Sequence, residues 1–292
     1  MSPTPPSGRR ILLVDADAFF VGVARLVDPE GAGRAAQLIV GGRPGGRGVV
    51  CSASYEARAR GVRSAMPIAA ALRLCPGALC VPVPAECRTY SHAIRAELER
   101  WAPLVEAASI DEWYLDLTGT ESLYRSALVD TAQAIRDAVR AATGLAVSIG
   151  GGPSKLVAKL AVEVAKPGRG GTGAHIVADD AVQDFLDALP VSALPGVGPR
   201  AEQRLRRASL LTLGAVRAVR SEVLEHALGR HGAAWLQRRA LGIDERAVRP
   251  RAPRKQISHE RTFGRDLSDD PTLRRRLLAL AARSGADLRA AG

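Results

Sequence analysis

An α+β fold is what the sequence predicts, on three observations. Short β-prone runs alternate with segments of helical period between Ile11 and Lys166, in a βαβ-like order. Two of those runs deliver acids: Ile11-Leu12-Leu13-Val14 leads into Asp15 and Asp17, and the run from Val105 to Leu117 holds Asp111 and Glu112. A helical, arginine-rich stretch then fills the last third. Ionised carboxylates at a buried strand are costly unless paired or metal-bound. An all-oxygen set drawn from two strands suits a hard divalent cation, Mg²⁺ or Mn²⁺. In an ideal strand Asp111 and Glu112 point to opposite faces. Both reach one metal only if the chain bends between Ser109 and Glu112. The plainer reading is a pair of solvated acids on an edge strand.

The elements follow in order. Residues 11–17 read as a buried strand and 19–27 as the helix after it. Leu38-Ile39-Val40 and residues 49–53 are short strands. Between them, Gly41-Gly42-Arg43-Pro44-Gly45-Gly46 lacks the GK[ST] ending of a phosphate loop and opens no helix, so it reads as a hairpin connection. Residues 55–60 and 68–74 are helical, the second stopped by Pro76-Gly77. Tyr55 and Arg58, three apart, share a helix face. Residues 88–101 form an amphipathic helix ended by Pro103, and the acid-bearing strands occupy 105–117. A helix over 130–143, closed by Gly144, precedes a strand at 145–149 that leads into Gly150-Gly151-Gly152-Pro153.

The helix over 154–166 carries Lys155, Lys159 and Lys166 within about 40° of one another at 3.6 residues per turn. Leu156, Val157, Leu160, Ala161 and Val164 form its opposite, buried face. Three of the chain's four lysines thus form one stripe in a protein with 37 arginines. A compact ammonium suits a shifting phosphate charge better than a guanidinium fork. Lys159 is the leading candidate, with Lys155 and Lys166 as solvated neighbours. After a helix at 179–189, Leu194-Pro195-Gly196-Val197-Gly198-Pro199 turns into a second helix over 200–208, a helix-hairpin-helix signature. Gly196, Val197, Gly198 and Arg200 are its candidate phosphate contacts, through backbone N–H groups and the helix N-terminus. Helices at 221–228 and 233–241 follow. Residues 249–255 read as a basic extended linker, 256–263 as a strand and 271–290 as a helix with Leu273, Leu277, Leu280 and Leu288 along one side.

Bulk properties exclude several classes. The chain has 292 residues, 47% of them hydrophobic, enough for more than one domain and a sizeable core. No long uncharged apolar run spans a membrane. Residues 1–10 read as a disordered leader without an apolar signal core. Cys51, Cys75, Cys80 and Cys87 show no metal spacing and read as reduced thiols of a cytoplasmic protein. Residues 1–198 balance 20 basic against 20 acidic side chains, so the net +11 lies wholly in 199–292. A neutral half with the acids beside a basic half fits chemistry in one place and polyanion grip in the other.

Five stretches occur in one order: Val14-Asp15-Ala16-Asp17-Ala18-Phe19-Phe20, Ala53-Ser54-Tyr55-Glu56-Ala57-Arg58, Ser109-Ile110-Asp111-Glu112, Lys155-Leu156-Val157-Ala158-Lys159 and Leu194-Pro195-Gly196-Val197-Gly198. Together they resemble the Y-family (translesion) DNA polymerases of the DNA polymerase IV type. The resemblance implies a right-hand polymerase with a palm sheet (1–18 and 82–168), small fingers (19–81) and a helical thumb with the helix-hairpin-helix (169–243). A basic linker (244–255) and the start of an incomplete little finger (256–292) complete it. It implies template-directed, low-processivity addition of deoxynucleotides to a primer 3′-hydroxyl, with two Mg²⁺ ions or Mn²⁺. Asp15, Asp111 and Glu112 would be catalytic metal ligands, joined by the carbonyl of Ala16, with Asp17 as a supporting acid. Phe19, Phe20, Ser52, Tyr55, Arg58 and Lys159 would meet the nucleotide, Phe20 as steric gate against ribose. Implied partners are primer–template DNA, deoxynucleoside triphosphates and a sliding clamp or other repair proteins, in a bacterial cytoplasm at the nucleoid.

Three departures stand out: Ala18 where an aromatic or Cys is common, Trp113 where Ala or Val is usual, and the short little finger. A non-catalytic DNA-binding adaptor in a damage-response complex is the alternative that the short C-terminal part favours and the retained acids oppose. A nucleotide cyclase with a similar palm is disfavoured by the hairpin motif and the basic last third.

Overall fold

A computed structural model describes residues 8–250 and 256–291. The start of the expected leader and residues 251–255 of the expected linker lie outside the described residues. The elements run β1 (Ile11–Ala16), α1 (Phe19–Val27), β2 (Leu38–Gly41), β3 (Val50–Ala53), α2 (Tyr55–Ala59), α3 (Ile68–Leu74) and β4 (Leu79–Val81). Then come α4 (Cys87–Leu98), β5 (Leu104–Ala107), β6 (Glu112–Asp116), α5 (Glu121–Tyr124), α6 (Leu128–Thr143), β7 (Val147–Gly152), α7 (Lys155–Ala165) and β8 (Ala174–Ile176). Five helices finish the chain: α8 (Val182–Asp187), α9 (Pro199–Arg207), α10 (Leu213–Ala218), α11 (Ser221–Ala240) and α12 (Asp270–Ala291). The contacts divide the chain into two units. One holds the residues up to Asp17 with Arg88–Pro250; the other holds Ala18–Cys87 with the chain after Pro250.

The first unit is built on a five-stranded sheet of order β5-β6-β1-β7-β8, antiparallel except for the β7–β8 pair. A continuous apolar run makes β1 its central strand, with every residue buried. The strand β7 runs through all three glycines rather than stopping before them. The reason is the helix laid on it. A Cβ on Gly150 would sit 2.0 Å from Val162 N and 2.3 Å from Ala158 O, both backbone atoms of α7. Ser154 caps α7, its hydroxyl accepting from Val157 N at 3.3 Å. The helical part of the unit closes over Leu186, Leu194, Leu205, Leu213, Leu224 and Leu236. The two helices expected after Ser221 lie end to end in α11, broken at Gly229, whose φ is 76° and ψ 162°.

The second unit has a three-stranded sheet of order β3-β2-β4, with β2 and β3 antiparallel across the glycine-rich hairpin and β4 parallel to β2. Its apolar cores gather Ile39, Val50, Ala57, Val62 and Ile68 on one side and Val21, Ala24, Leu38 and Val40 on the other. The strand expected at 256–263 is absent. A strand needs a ladder partner, and no described strand pairs with this segment. The helix expected at 271–290 is present as α12, and no residue of it is buried.

Candidate active site

The acids meet through strand register. Asp15 pairs directly with Glu112 across β1 and β6, so the two carboxylates leave one face of the sheet. The apolar run at 105–117 is not one strand but a hairpin, and Asp111 lies in its turn. Ala108 N and Ser109 N both donate to Glu112 O, at 2.9 and 3.3 Å. Ala16 N donates to Asp111 O at 2.9 Å, tying the turn to the end of β1. The bend that both acids require is therefore provided by the chain between Ser109 and Glu112. Ser109 Oγ donates to Asp111 Oδ1 at 2.5 Å and fixes that carboxylate from within the turn. Trp113, next in sequence, points the other way and is fully buried. Asp17 Oδ1 accepts from the buried Ser148 hydroxyl at 2.8 Å.

Lysines from α7 and its end answer these acids. Lys166 Nζ lies 2.8 Å from Asp15 Oδ2 and 2.7 Å from Glu163 Oε1. Lys159 Nζ lies 2.5 Å from Glu112 Oε1. The expectation of solvated neighbours fails for the other two lysines. Lys155 is buried, paired to Glu106 at 2.6 Å, with its ammonium 4.4 Å from the Tyr114 ring centroid. Lys166 is drawn in by Asp15, because a buried carboxylate needs a cation beside it. Helical spacing alone could not reveal this, since the acids lie on strands more than forty residues away in sequence. Burial pushes the Asp15 carboxyl up, and Lys166 opposes that rise. Burial also works against the Lys166 charge, but Asp15 and Glu163 outweigh it and hold the ammonium above its ordinary range.

The donor set is all oxygen, which fits a hard divalent cation, and its carboxylates Glu112 and Asp15 are balanced by the ammonium groups of Lys159 and Lys166. Among the described residues no three His, Cys, Asp or Glu side chains are gathered ready-made around a metal position. Asp15, Asp111, Glu112 and the Ala16 backbone are the residues that could hold one.

The remaining predicted nucleotide residues belong to the second unit. Phe19 is buried at the start of α1, and Phe20, half-buried, meets it edge-on with ring centroids 5.5 Å apart. Ala18 just before them adopts a left-handed backbone, φ 46°, ψ 46°, a conformation that costs a non-glycine residue about 1 kcal/mol or more. Tyr55 and Arg58 do share a face: the Arg58 guanidinium lies 5.4 Å from the Tyr55 ring centroid, and its Nε donates to Ala53 O at 2.9 Å. Ser52 is buried on β3.

In the first unit, Gly196 has φ 106°, the left-handed region that favours glycine, and Gly198 caps α9 with Pro199 as its first residue. A short 3-10 turn, Val191–Ala193, precedes the hairpin. All four predicted hairpin residues lie at or just past this turn, and Arg200 is exposed. No helix among the described residues is long and apolar enough to cross a membrane. All four cysteines are free.

Comparison with known proteins shows the family and agrees with the fold. Residues 14–163 match the model of the impB/mucB/samB family, residues 179–208 its HHH motif and residues 254–292 its C-terminal domain. The DNA polymerase IV of Dehalococcoides mccartyi (strain BAV1) is 39% identical over 285 residues, 97% of this chain and 71% of the relative. That of Halorhodospira halophila is 41% identical over 273 residues, 93% of this chain and 74% of the relative. Among solved structures, DinB from Sulfolobus solfataricus matches with TM-score 0.73 at 29% identity, over 82% of this chain and 69% of that one. An insertion ternary complex of Dbh DNA polymerase matches with TM-score 0.71 at 30% identity, over the same shares of each chain, 82% and 69%. The chain belongs to the impB/mucB/samB family and is a translesion-type, DNA-directed DNA polymerase of the Y-family, DNA polymerase IV type.

Proposed function

We propose that this polymerase extends a primer 3′-hydroxyl by two-metal phosphoryl transfer at Asp15, Asp111 and Glu112. The observation that carries the reading is the register that sets Asp15 opposite Glu112 while Ala16 N–H holds the Asp111 turn. Two Mg²⁺ ions, with Mn²⁺ as a substitute, would activate the primer hydroxyl and draw charge from the triphosphate when bound. Asp15, Asp111, Glu112 and the Ala16 carbonyl would hold them. Lys159 would supply a compact positive charge beside Glu112, suited to the triphosphate. Arg58, whose Nε donates to Ala53 O, would meet phosphate oxygens through its guanidinium fork. Tyr55 offers its hydroxyl beside it. Phe20 serves as the steric gate. Phe19 and Ser52, both buried, act through backbone and shape.

In this reading residues 1–18 and 82–168 form the palm, 19–81 the fingers, 169–243 the thumb, 244–255 the linker and 256–292 part of the little finger. The partners are primer–template DNA and deoxynucleoside triphosphates. Gly196, Val197 and Gly198 meet duplex phosphates through backbone N–H groups, and Arg200 through its side chain, without reading sequence. A sliding clamp or other repair protein is a further partner, and the bacterial nucleoid is the place of action. Primer extension with Mg²⁺, run beside pyrophosphate release without DNA, tests the reading. Asp111→Ala should lose more than about 10²-fold in extension rate while still binding DNA. Extension at the wild-type rate by that variant would sink the assignment.

A further inference from the structure

A groove of about 690 Å³ runs between α9 and the first half of α11, before the break at Gly229. That volume lies within the range of ligand-sized sites, about 300–1,000 Å³. Its floor is small and apolar: Ala208, Val223 and Ala227, all half-buried. Ala208 and Val223 rest on the core that holds Leu205 and Leu224, so the floor is the outer skin of that core and not a gap inside it. Arg204 and Arg207 form the α9 lip, Glu222 and His226 the α11 lip, and all four are exposed. The arginines of α9 are sorted by face. Arg206 pairs with Glu202, one turn back, at 3.3 Å. At 3.6 residues per turn, Arg204 and Arg207 lie on the opposite side. Among the described residues neither of these two makes an ion pair.

Two unanswered cations three residues apart, above an apolar floor, suit a partner that brings acids at the same spacing beside an apolar side chain. Duplex DNA is the competing occupant, because Arg200 lies one turn before Arg204 on the same face. A phosphodiester backbone gains nothing from the floor, however, and Glu222 on the facing lip repels it. Charge therefore favours a short anionic segment, and the floor favours a large apolar side chain on it. We propose that the groove docks an amphipathic helix of another protein. A Leu, Phe or Trp of that helix seats on Ala208, Val223 and Ala227, and its carboxylates, one turn apart, meet Arg204 and Arg207. None of these residues belongs to the candidate catalytic set, so the contact serves recruitment and not chemistry.

The test uses the full chain and fluorescein-labelled, alanine-rich helical peptides, read by anisotropy. One probe carries a face of leucines flanked by glutamates; in a second the leucines are alanine, and in a third the glutamates are lysine. The leucine–glutamate probe should bind with Kd below about 100 μM, and each control about tenfold more weakly or worse. Ala227→Leu, which fills the floor, should cost that probe about tenfold while primer–template affinity and extension rate stay at wild type. Arg204→Glu combined with Arg207→Glu should reverse the preference, so that the lysine probe binds better than the glutamate one. Saturating primer–template should leave probe binding unchanged. Equal binding of the leucine and alanine probes overturns the proposal, because charge alone then suffices. So does displacement of the probe by DNA, an Ala227→Leu protein that loses DNA as much as peptide, or no binding of the leucine–glutamate probe at about 1 mM. If Ala227→Leu does not fold, the charge swap at the two exposed arginines decides, and an unreversed preference overturns the proposal. Peptide binding is read without nucleotide, so its failure leaves the polymerase reading standing, and absent extension leaves the docking measurement intact.

Discussion

Gly150→Ala is the sharpest test of how the lysines are placed. The added Cβ would stand 2.0 Å from Val162 N, 2.3 Å from Ala158 O and 2.6 Å from Val162 Cα. These are backbone atoms of α7, so no rotamer change relieves the overlap, and the helix must retreat by more than about 1 Å to reach ordinary contact. Overpacking a tight core costs about 1–3 kcal/mol, and backbone overlap puts this case at the upper end. At about 3 kcal/mol, Tm falls by roughly 6–12 °C. Lys159 lies on α7 and Lys166 just past its end, each bonded to a candidate metal ligand. A misplacement of about 1 Å costs up to roughly 10²-fold in rate. Thermal melting and single-turnover primer extension measure both effects, with Gly264→Ala as control because nothing lies within 4 Å of its Cβ. A Gly150→Ala protein that melts within a degree or two of wild type and extends at the same rate would refute the packing argument.

Three further outcomes follow from the same geometry. Phe20→Ala should raise ribonucleotide use relative to deoxyribonucleotide use; a folded, active variant with unchanged discrimination removes Phe20 as the gate. Burial pushes the Asp244 carboxyl up, but hydrogen bonds from Arg246 and Arg239 pull it further down, to about 2 from 3.8. Its folded value lies below the unfolded one, so its stabilisation, about 2 kcal/mol, is complete above pH ~4 and lost as pH falls through about 2. Urea melts of wild type and Asp244→Asn should differ at pH 7 and converge in acid; a gap that persists near pH 2 contradicts this. The amides of α12, which has no buried residue, should exchange much faster than those of α7 in the free protein; equal protection would show a partner surface for that helix.

Much of the fold was legible because period and punctuation were strong. The apolar run of β1, Gly144 closing α6, Pro103 after α4 and the hairpin glycines each name a local conformation that tertiary contacts then keep. The acids were legible for the same reason: charge at the end of a buried run needs a partner. What the sequence hid depends on contacts distant along the chain. Lys155 and Lys166 read as solvated because helical spacing shows only a shared face, while their partners Glu106 and Asp15 come from strands. Gly150 to Gly152 read as a strand end because glycine is a poor strand former, whereas here the missing side chains admit α7. Residues 256–263 alternate like a strand, but alternation cannot supply a neighbouring strand.

The central place of β1 has a consequence for how the protein is made. Its neighbours β6 and β7 are encoded far downstream, the second ending at Gly152. During synthesis Ile11–Val14 leaves the ribosome long before either ladder partner exists. At about 5–20 residues per second, roughly 7–30 s pass before β7 has been added. Through that interval a strand wholly buried in the finished enzyme is an exposed apolar segment with both edges open, a template for pairing with other chains. The N-terminal run that delivers the candidate catalytic acid Asp15 is therefore also a segment in need of a holdase during biosynthesis, and slowed translation between Asp17 and Val147 should lower soluble yield before it lowers the activity of the molecules that fold.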